Sequence, residues 1–348
     1  MPPPDPAHAP DGRRAQACRA DSPTGCEAHT RAWSGDRLVA EGFPVTQLSE
    51  RRSNGELVWL DLLSPSGQDM AVLTEEFGLH PLAIEDAMVQ HERPKLDRYR
   101  DHSFFAAYAL GASRDGDLLR IGEVAAFITS DALVTVRKSE LVPLKPLLAR
   151  WDDEKQLIGS GVGFLLHGLL DVLVDGHTDA AAVLDEEADG LEDLLFDEQA
   201  PSGHLQRRAF ALRKALTLLR RAVLPMHEVL ASLTRPEMDL VDDRLAPYVR
   251  DVRDHVRRNA DHVDSLRETL GTILDVNLTL SSNRLNKTIF RLTAYAALLT
   301  VTTAITGYFG QNVPYPGIDH PAGFIASTVL LVGAVGGLLV LFWRKGWL

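Results

Sequence analysis

A row of polar and aliphatic residues recurs at spacings of three and four just before an uncharged stretch of the chain. Its members are Asp275, Leu278, Ser282, Asn286, Ile289 and Leu292. These spacings place side chains on one face of an α-helix. A carboxylate, a hydroxyl and an amide among aliphatic residues suit a helix face that points to an axis shared with other helices.

Motifs of enzymatic chemistry are not found in the sequence. No nucleophile–base constellation, P-loop or dinucleotide fingerprint is present. His8, Cys18, Cys26 and His29 match no structural zinc spacing. We predict that the protein is not an enzyme. We also predict that residues 1–35, with five prolines in the first ten positions, form a disordered tail.

The charge of the chain is divided unevenly along its length. The 348 residues carry 36 Lys+Arg and 48 Asp+Glu, a net charge of −12. Residues 1–283 alone carry 31 Lys+Arg and 47 Asp+Glu, a net charge of −16. This acidic body argues against a nucleic-acid partner, because phosphate binding needs a basic surface. Two cysteines also cannot form a disulfide framework.

Two uncharged runs near the end of the chain are long enough to cross a bilayer. They cover residues 292–309 and 322–343, and about 20 apolar residues suffice for a spanning helix. Lys and Arg flank the pair of runs on its outer ends and are missing from the loop between them, residues 310–321. The positive-inside rule therefore predicts an inner (plasma) membrane protein with both termini in the cytoplasm. The N-terminal segment has no signal-peptide pattern. Two helices alone form no pore, so a conduit would require an oligomer.

The acidic body is predicted to be mixed α/β and then helical. We expect a strand from Leu57, a helix opened by Ser64 and Pro65, a second helix over residues 80–88 and a β-hairpin around Ser130–Asp131. An acidic helix over residues 163–196 precedes a basic helix over residues 204–233, separated by Pro201-Ser202-Gly203. The two helices should pair antiparallel. Their charge bias is compatible either with ion pairing or with two solvated faces.

One helix of about 60 residues is predicted from Pro247 to Phe309, because no helix breaker interrupts the pattern. A second face of this helix also has coiled-coil spacing. It consists of Val252, Val256, Asn259, Val263, Leu266, Leu270, Ile273, Asn277 and Leu280. This seam could pack against other copies of the chain or within a bundle of one chain, and periodicity does not distinguish the two.

From about Leu57 to Leu348 the sequence resembles the CorA family of divalent-cation channels. The likeness rests on WLDL, FGLHPLAIEDAMVQHERPKLDRYRDHSFF, EVAAFITSDALVTVR, YVRDVRDHVRRNADHVDSLRETLGTILDVNLTLSSNRLNKT, TGYFGQN and the terminal WRKGWL, in that order. The resemblance implies a homopentamer with an α+β cytoplasmic funnel domain (an α/β/α sandwich), a long stalk helix and two C-terminal transmembrane helices.

The resemblance also implies a division of the chain. Residues 36–160 would form the cytoplasmic α/β domain, 161–240 an antiparallel helical pair and 241–291 the stalk helix. Residues 292–310 would be the pore-lining transmembrane helix, 311–321 the extracytoplasmic loop, 322–343 the second transmembrane helix and 344–348 a basic tail. The partners would be other copies of the chain, divalent metal ions and the lipid bilayer.

The resemblance assigns a selectivity signature to Gly310, Gln311 and Asn312. A ring of Asn312 carbonyls could accept hydrogen bonds from hydrated Mg²⁺, which gives up its water reluctantly. Gln311 stands where the family usually has Met, which weakens a prediction of strict Mg²⁺ selectivity. Further pore-lining positions would be Thr303, Thr300, Leu292, Ile289, Asn286 and Asp275. Considered without the resemblance, the two threonines could equally bond to carbonyls of their own helix.

Regulatory Mg²⁺ sites of the family lie between neighbouring cytoplasmic domains and correspond to Glu85, Asp86 and Asp251. Paired carboxylates repel one another until a divalent ion bridges them, so loss of Mg²⁺ would favour an open pore. The transported ion would be Mg²⁺, with Co²⁺ and Ni²⁺ as further candidates. A ZntB-like Zn²⁺ transporter, with proton coupling as a feature that this branch would add, is the alternative. A non-conducting membrane-tethered binding protein is a third hypothesis.

Overall fold

The computed structural model describes residues 25–89, 93–113, 117–197, 203–311 and 321–347. The chain divides into two compact units, residues 1–270 and residues 271–348. The first unit contains a seven-stranded sheet and most of the helices. The second contains the last part of one long helix and a C-terminal helix.

The sheet of the first unit has one parallel pair of strands among antiparallel ones. Its strands are β1 (Glu27–Ser34), β2 (Arg37–Glu41), β3 (Leu57–Leu63), β4 (Lys95–Arg98), β5 (Ser103–Ala112), β6 (Leu119–Ile128) and β7 (Ala132–Arg137). They lie in the order β2-β1-β3-β7-β6-β5-β4, and β3 and β7 are the parallel pair. The predicted strand from Leu57 and the predicted hairpin around Ser130–Asp131 are confirmed.

Eight α-helices are described. They are α1 (Leu48–Ser53), α2 (Gly67–Phe77), α3 (Pro81–Met88), α4 (Leu144–Asp153), α5 (Val162–Phe196), α6 (His204–Leu233), α7 (Ala246–Phe309) and α8 (Pro321–Arg344). The predicted helix over residues 204–233 has the observed bounds of α6. The helix predicted at Ser64 begins later, because the Ser66 side chain caps α2 and forms a capping box with Asp69.

Helices cover both faces of the sheet. Successive strand residues point to opposite faces, and in β1 Ala32 joins a buried cluster with Met70 and Leu73 of α2. The next residue, Trp33, instead meets Trp151 of α4, with ring centroids 5.9 Å apart. Helices α5 and α6 also contact this second face, through β4 and β5. The predicted α/β/α sandwich is therefore confirmed.

The prediction that residues 1–35 are disordered is wrong for residues 27–34, which form the interior strand β1. Residues 1–24 lie outside the described residues. Two polar side chains of β1, Thr30 and Arg31, are buried, and more distant parts of the chain satisfy them. The Thr30 hydroxyl donates to the Phe43 carbonyl at 2.7 Å, and the Arg31 guanidinium contacts Asp152 at 3.0 Å. Polar composition alone gave no sign of these partners, since they are remote in sequence.

The charge bias of α5 and α6 does not produce a ladder of ion pairs. Within the described ranges a single ion pair joins the two helices, between Arg208 and Glu187 at 2.7 Å. Two other basic residues of α6 pair elsewhere, Lys214 with Asp117 and Arg220 with an aspartate of α7. Most of the charge therefore lies on solvated faces.

Helix α7 has 64 residues, about 96 Å at 1.5 Å per residue. It begins at Ala246, one residue before the predicted start. The coiled-coil seam is buried within the single chain from Val252 to Ile273, where its members are at most 5% exposed. Asn259 in the middle of this seam bonds to Thr178 of α5, 3.0 Å from amide nitrogen to hydroxyl oxygen. The seam could have packed against other copies of the chain or within one chain. From Val252 to Ile273 it packs within one chain.

The second unit carries both helices that are long and apolar enough to cross a membrane, the distal part of α7 and α8. Residues 281–293 of α7 are exposed on every side. Beyond α8 the chain turns back, so that the Trp347 ring stacks on Phe290 of α7 at 4.9 Å and on Phe342 of α8 at 5.4 Å. This aromatic clasp ties the end of the chain to α7.

Candidate ion pathway and regulatory carboxylates

The row of residues proposed to face a shared axis lies uncovered on α7. Leu278, Ile289 and Leu292 are 67%, 55% and 68% exposed, and Asp275, Ser282 and Asn286 are exposed as well. An aliphatic row so exposed is unfavourable in water, at roughly 25 cal/mol for each Å² of apolar surface. The described part of one chain supplies no cover for it.

Thr300 and Thr303 bond to their own helix. Each hydroxyl donates to the carbonyl four residues earlier, that of Ala296 and that of Leu299, both at 2.8 Å. The alternative prediction, that these hydroxyls bond to carbonyls of their own helix, is therefore confirmed. It remains compatible with an ion path, because a hydroxyl that donates to the backbone still has lone pairs to accept a hydrogen bond from the water of a hydrated ion.

The signature residues begin where α7 ends. The Gly310 amide donates to the Thr306 carbonyl at 2.9 Å, and a Cβ at Gly310 would lie 3.0 Å from that oxygen. A larger residue here would press on the last turn of the helix. Gln311 is exposed. Asn312 lies outside the described residues, so its role in selectivity stays a prediction.

Two of the predicted regulatory carboxylates lie on α3. The Nδ1 atom of His80 caps this helix by accepting a hydrogen bond from the Leu82 amide at 3.2 Å. Glu85 is exposed, whereas Asp86 is half-buried and accepts a hydrogen bond from the Lys95 ammonium at 2.7 Å. Lys95 also lies 3.3 Å from Asp97. A cation that binds Asp86 must therefore share it with a resident ammonium.

The third predicted regulatory carboxylate, Asp251, lies near the start of α7. Its side chain is 70% exposed, and its closest ion-pair partner is His255 at 3.5 Å. No group of three metal-ligating side chains occurs among the described residues. One chain therefore does not bring Glu85, Asp86 and Asp251 together as a metal site.

A cluster that the sequence analysis did not single out centres on Arg150 of α4. Its two terminal nitrogens contact Asp171 at 2.7 Å and Asp175 at 2.8 Å, both on α5. Burial raises the pKa of each of these carboxyl groups, and Arg150 opposes the rise. The charge of Asp251 on α7 raises the pKa of Asp171 further, so the cluster interacts electrostatically with that helix. The sequence feature that could have revealed this cluster is the pair of aspartates, four residues apart, within the apolar run LLDVLVDG.

Two buried histidines should make the fold sensitive to acid. Burial lowers the pKa of His177 to about 4, and burial together with Arg150 lowers that of His167 to about 4, from 6.5. The unfolded chain then binds more protons between these values, so stability is lost as pH falls from 6.5 towards 4. Each histidine accounts for a loss of up to about 3 kcal/mol in the free energy of unfolding over this pH range. We expect the thermal midpoint in detergent to fall steadily between pH 7.5 and pH 5.

A substitution of His177 tests this expectation. The His177 Nε2 atom lies 2.7 Å from the Tyr108 carbonyl, which glutamine can also reach with an N–H donor. His177→Gln should flatten the dependence of the thermal midpoint on pH, while His227→Gln, on the exposed side of α6, should leave it unchanged. Equal slopes for wild type and His177→Gln would contradict the assignment.

Comparisons with known proteins agree with this architecture. Residues 54–345 match the family model described as CorA-like Mg2+ transporter protein. The cobalt/magnesium transport protein CorA of Thermotoga maritima is 27% identical over 297 residues, 84% of each chain. The complete structure of the CorA magnesium transporter from Methanocaldococcus jannaschii aligns with a TM-score of 0.75 at 20% identity, covering 92% of this chain and 98% of that one. The full-length CmaX protein aligns with a TM-score of 0.69 at 20% identity, covering 92% and 97%.

The match covers the sheet from β3 onwards, all of α7 and the whole of α8. It thus includes both the domain that carries the predicted carboxylates and the two apolar helices. Members of this family are membrane transporters of divalent cations and not enzymes. The chain belongs to the family of CorA-like Mg²⁺ transporter proteins.

Proposed function

We propose that the protein is a homopentameric channel that admits Mg²⁺ to the cytoplasm, with Co²⁺ and Ni²⁺ as further permeant ions. The exposed row of polar and aliphatic residues on α7 carries this proposal. It continues without a break in the helix from a charged segment into an apolar span. Five copies around an axis would bury the row and convert single polar side chains into rings.

Each ring has a distinct role in this proposal. Asp275 concentrates cations at the cytoplasmic mouth, and Asn286 offers amide oxygens to water around the ion. Ile289 and Leu292 form a hydrophobic constriction that closes by losing water. Thr300 and Thr303 provide polar rings nearer the outside. The Gly310-Gln311-Asn312 signature forms the outer mouth, where Asn312 binds an ion that keeps its hydration shell.

The remainder of the chain is assigned accordingly. Residues 27–160, which include the strand β1, and the helical pair 161–240 form the cytoplasmic body. Residues 241–291 form the stalk, 292–310 and 322–343 form the two spans of the inner membrane, and both termini are cytoplasmic. The basic residues on the outer ends of the spans support this orientation. Cytoplasmic Mg²⁺ bridges Asp86 and Glu85 of one copy to Asp251 of the next and stabilises the closed state.

Zinc transport is the second candidate function, favoured by one observation. Gln311 replaces the usual Met of the family signature, a departure that ZntB-like proteins share. A polar glutamine in place of methionine changes the ligands that the outer mouth offers to an ion.

Flux into proteoliposomes distinguishes these candidates. We expect Mg²⁺ and Co²⁺ uptake that needs no proton gradient and that accelerates under a negative interior, since the potential favours a divalent ion by about 4.6 kcal/mol per 100 mV. Protein-free vesicles held at the same potential are the control. Uptake of Zn²⁺ alone, and only with a proton gradient, would establish the second candidate. A complete lack of flux would leave a non-conducting tether.

A further inference from the structure

Five basic residues in the described part of the second unit have no acidic partner there. Arg284, Lys287 and Arg291 lie on α7, and Arg344 and Lys345 lie at the end of α8, all of them exposed. In residues 271–311 and 321–347 the single carboxylate side chain is Asp275, and no ion pair involves any of the five cations. Their charge is therefore available to an outside anion.

The three cations on α7 share one face of the helix. At about 100° per residue, Arg284, Lys287 and Arg291 fall within about 60° of one another. This face lies opposite the row that includes Asn286 and Ile289. The basic face is thus directed away from the proposed conduction axis and does not oppose cation entry.

The aromatic clasp brings the end of α8 to the part of α7 that carries these cations. The Trp347 ring stacks on Phe290 at 4.9 Å with an interplanar angle of 11°, and Phe290 lies between Lys287 and Arg291 in sequence. The reversal uses Gly346 at a φ of +68°, a conformation that favours glycine. Lys345 lies 5.8 Å from the centroid of the Trp347 ring. The clasp therefore holds Lys345 near the turn of α7 that carries Lys287 and Arg291.

We propose that this basic cluster, with the aromatic clasp beside it, binds the phosphate-bearing headgroup of an anionic phospholipid. The cluster lies next to both apolar spans. In the proposed membrane orientation this is the level where headgroups meet the hydrocarbon layer. Lys and Arg at this level attract anionic lipids, and tryptophan is favoured there because its ring is apolar with one polar edge. The inference rests on the membrane orientation of the proposed function but not on conduction.

Native mass spectrometry of the full-length protein tests the inference. The protein is equilibrated in detergent with equal amounts of phosphatidylglycerol and phosphatidylcholine, and the retained lipids are counted. We expect wild type to retain about fivefold more phosphatidylglycerol. The triple variant Arg284→Gln, Lys287→Gln, Arg291→Gln should lose this excess and retain the two lipids about equally. Trp347→Ser, which keeps every charge, should lower the excess because the tail is released from α7.

A second triple variant provides the matched control. Arg207→Gln, Arg213→Gln and Arg221→Gln remove the same charge from exposed positions of α6, and the excess should persist. An equal excess in both triple variants, or no lipid preference in wild type, would overturn the inference. Millimolar inorganic phosphate should not displace the lipid, and full displacement would assign the cluster to a soluble anion instead. Since no outcome depends on flux, a failure of the conduction proposal is seen separately.

Discussion

Replacing Asp251 with lysine should abolish closure by cytoplasmic Mg²⁺. The substitution places an ammonium where the proposed site needs a carboxylate, and two unit charges about 4 Å apart interact by about 4 kcal/mol at an effective dielectric constant of 20. Because the Asp251 side chain is largely exposed, part of this is screened by salt. We expect the Mg²⁺ concentration for half-closure to rise at least about tenfold. Currents across planar bilayers, with Mg²⁺ titrated on the cytoplasmic side, measure the shift.

Two further variants make this result specific. Asp261→Lys changes an exposed aspartate of the same helix that belongs to no proposed site, and it should leave the titration unchanged. Lys95→Met removes the ammonium that pairs with Asp86 at 2.7 Å, so half-closure should need less Mg²⁺. An unchanged response of Asp251→Lys would remove this residue from the regulatory site, whatever the protein conducts.

Sequence periodicity predicted the helices and strands whose structure is determined by residues close together in the sequence. Helix α7 was predictable over its full length because no residue between Pro247 and Phe309 interrupts helical geometry. The β6–β7 hairpin was predictable because two runs rich in β-formers enclose a short turn at Ser130 and Asp131. In both cases the residues that determine the structure are neighbours in sequence.

The strand β1 was not predictable for the opposite reason. Its polar residues are stabilised by groups far along the chain, such as the ion pair of Arg31 with Asp152 across 121 positions. Local hydrophobicity therefore suggested disorder. The same holds for the Arg150 cluster, whose carboxylates lie on another helix. A buried charge appears unfavourable in a sequence until its partner is known.

For the candidate site, the sequence did not show what packs against each face of α7. Periodicity identified two faces on α7 but could not assign a partner to each. The structure assigns one, since Asn259 and its neighbours pack within the chain, whereas Asn286 and its neighbours remain exposed. Among the described residues of one chain, Glu85, Asp86 and Asp251 do not form a metal site. A site that forms between copies leaves no local signature. These residues were identified through the family resemblance.

A polar residue in the proposed constriction should hold the pore open. Leu292 and Ile289 are aliphatic and more than half exposed on α7, and the proposed pentamer would bring five copies of each together. A ring of five leucines excludes water when it is narrow, and the ion cannot pass without its hydration shell. Leu292→Asn replaces five isobutyl groups with amides that bind water. We expect flux at a closing Mg²⁺ concentration to rise at least about tenfold above that of wild type.

The control for this variant is the same substitution on another face of the helix. Leu298 is half-buried and lies about 120° around α7 from Leu292, so Leu298→Asn adds an equal polar burden to the span without altering the proposed axis. Flux should rise for Leu292→Asn alone when equal amounts of folded oligomer are compared by size-exclusion chromatography. If both variants conduct like wild type, the constriction lies elsewhere. If both leak equally, disruption of the span and not wetting of a gate explains the effect. If flux rises for Leu292→Asn alone, conduction depends on the exposed row. The two variants carry the same substitution, and they differ only in the face of α7 that becomes hydrated.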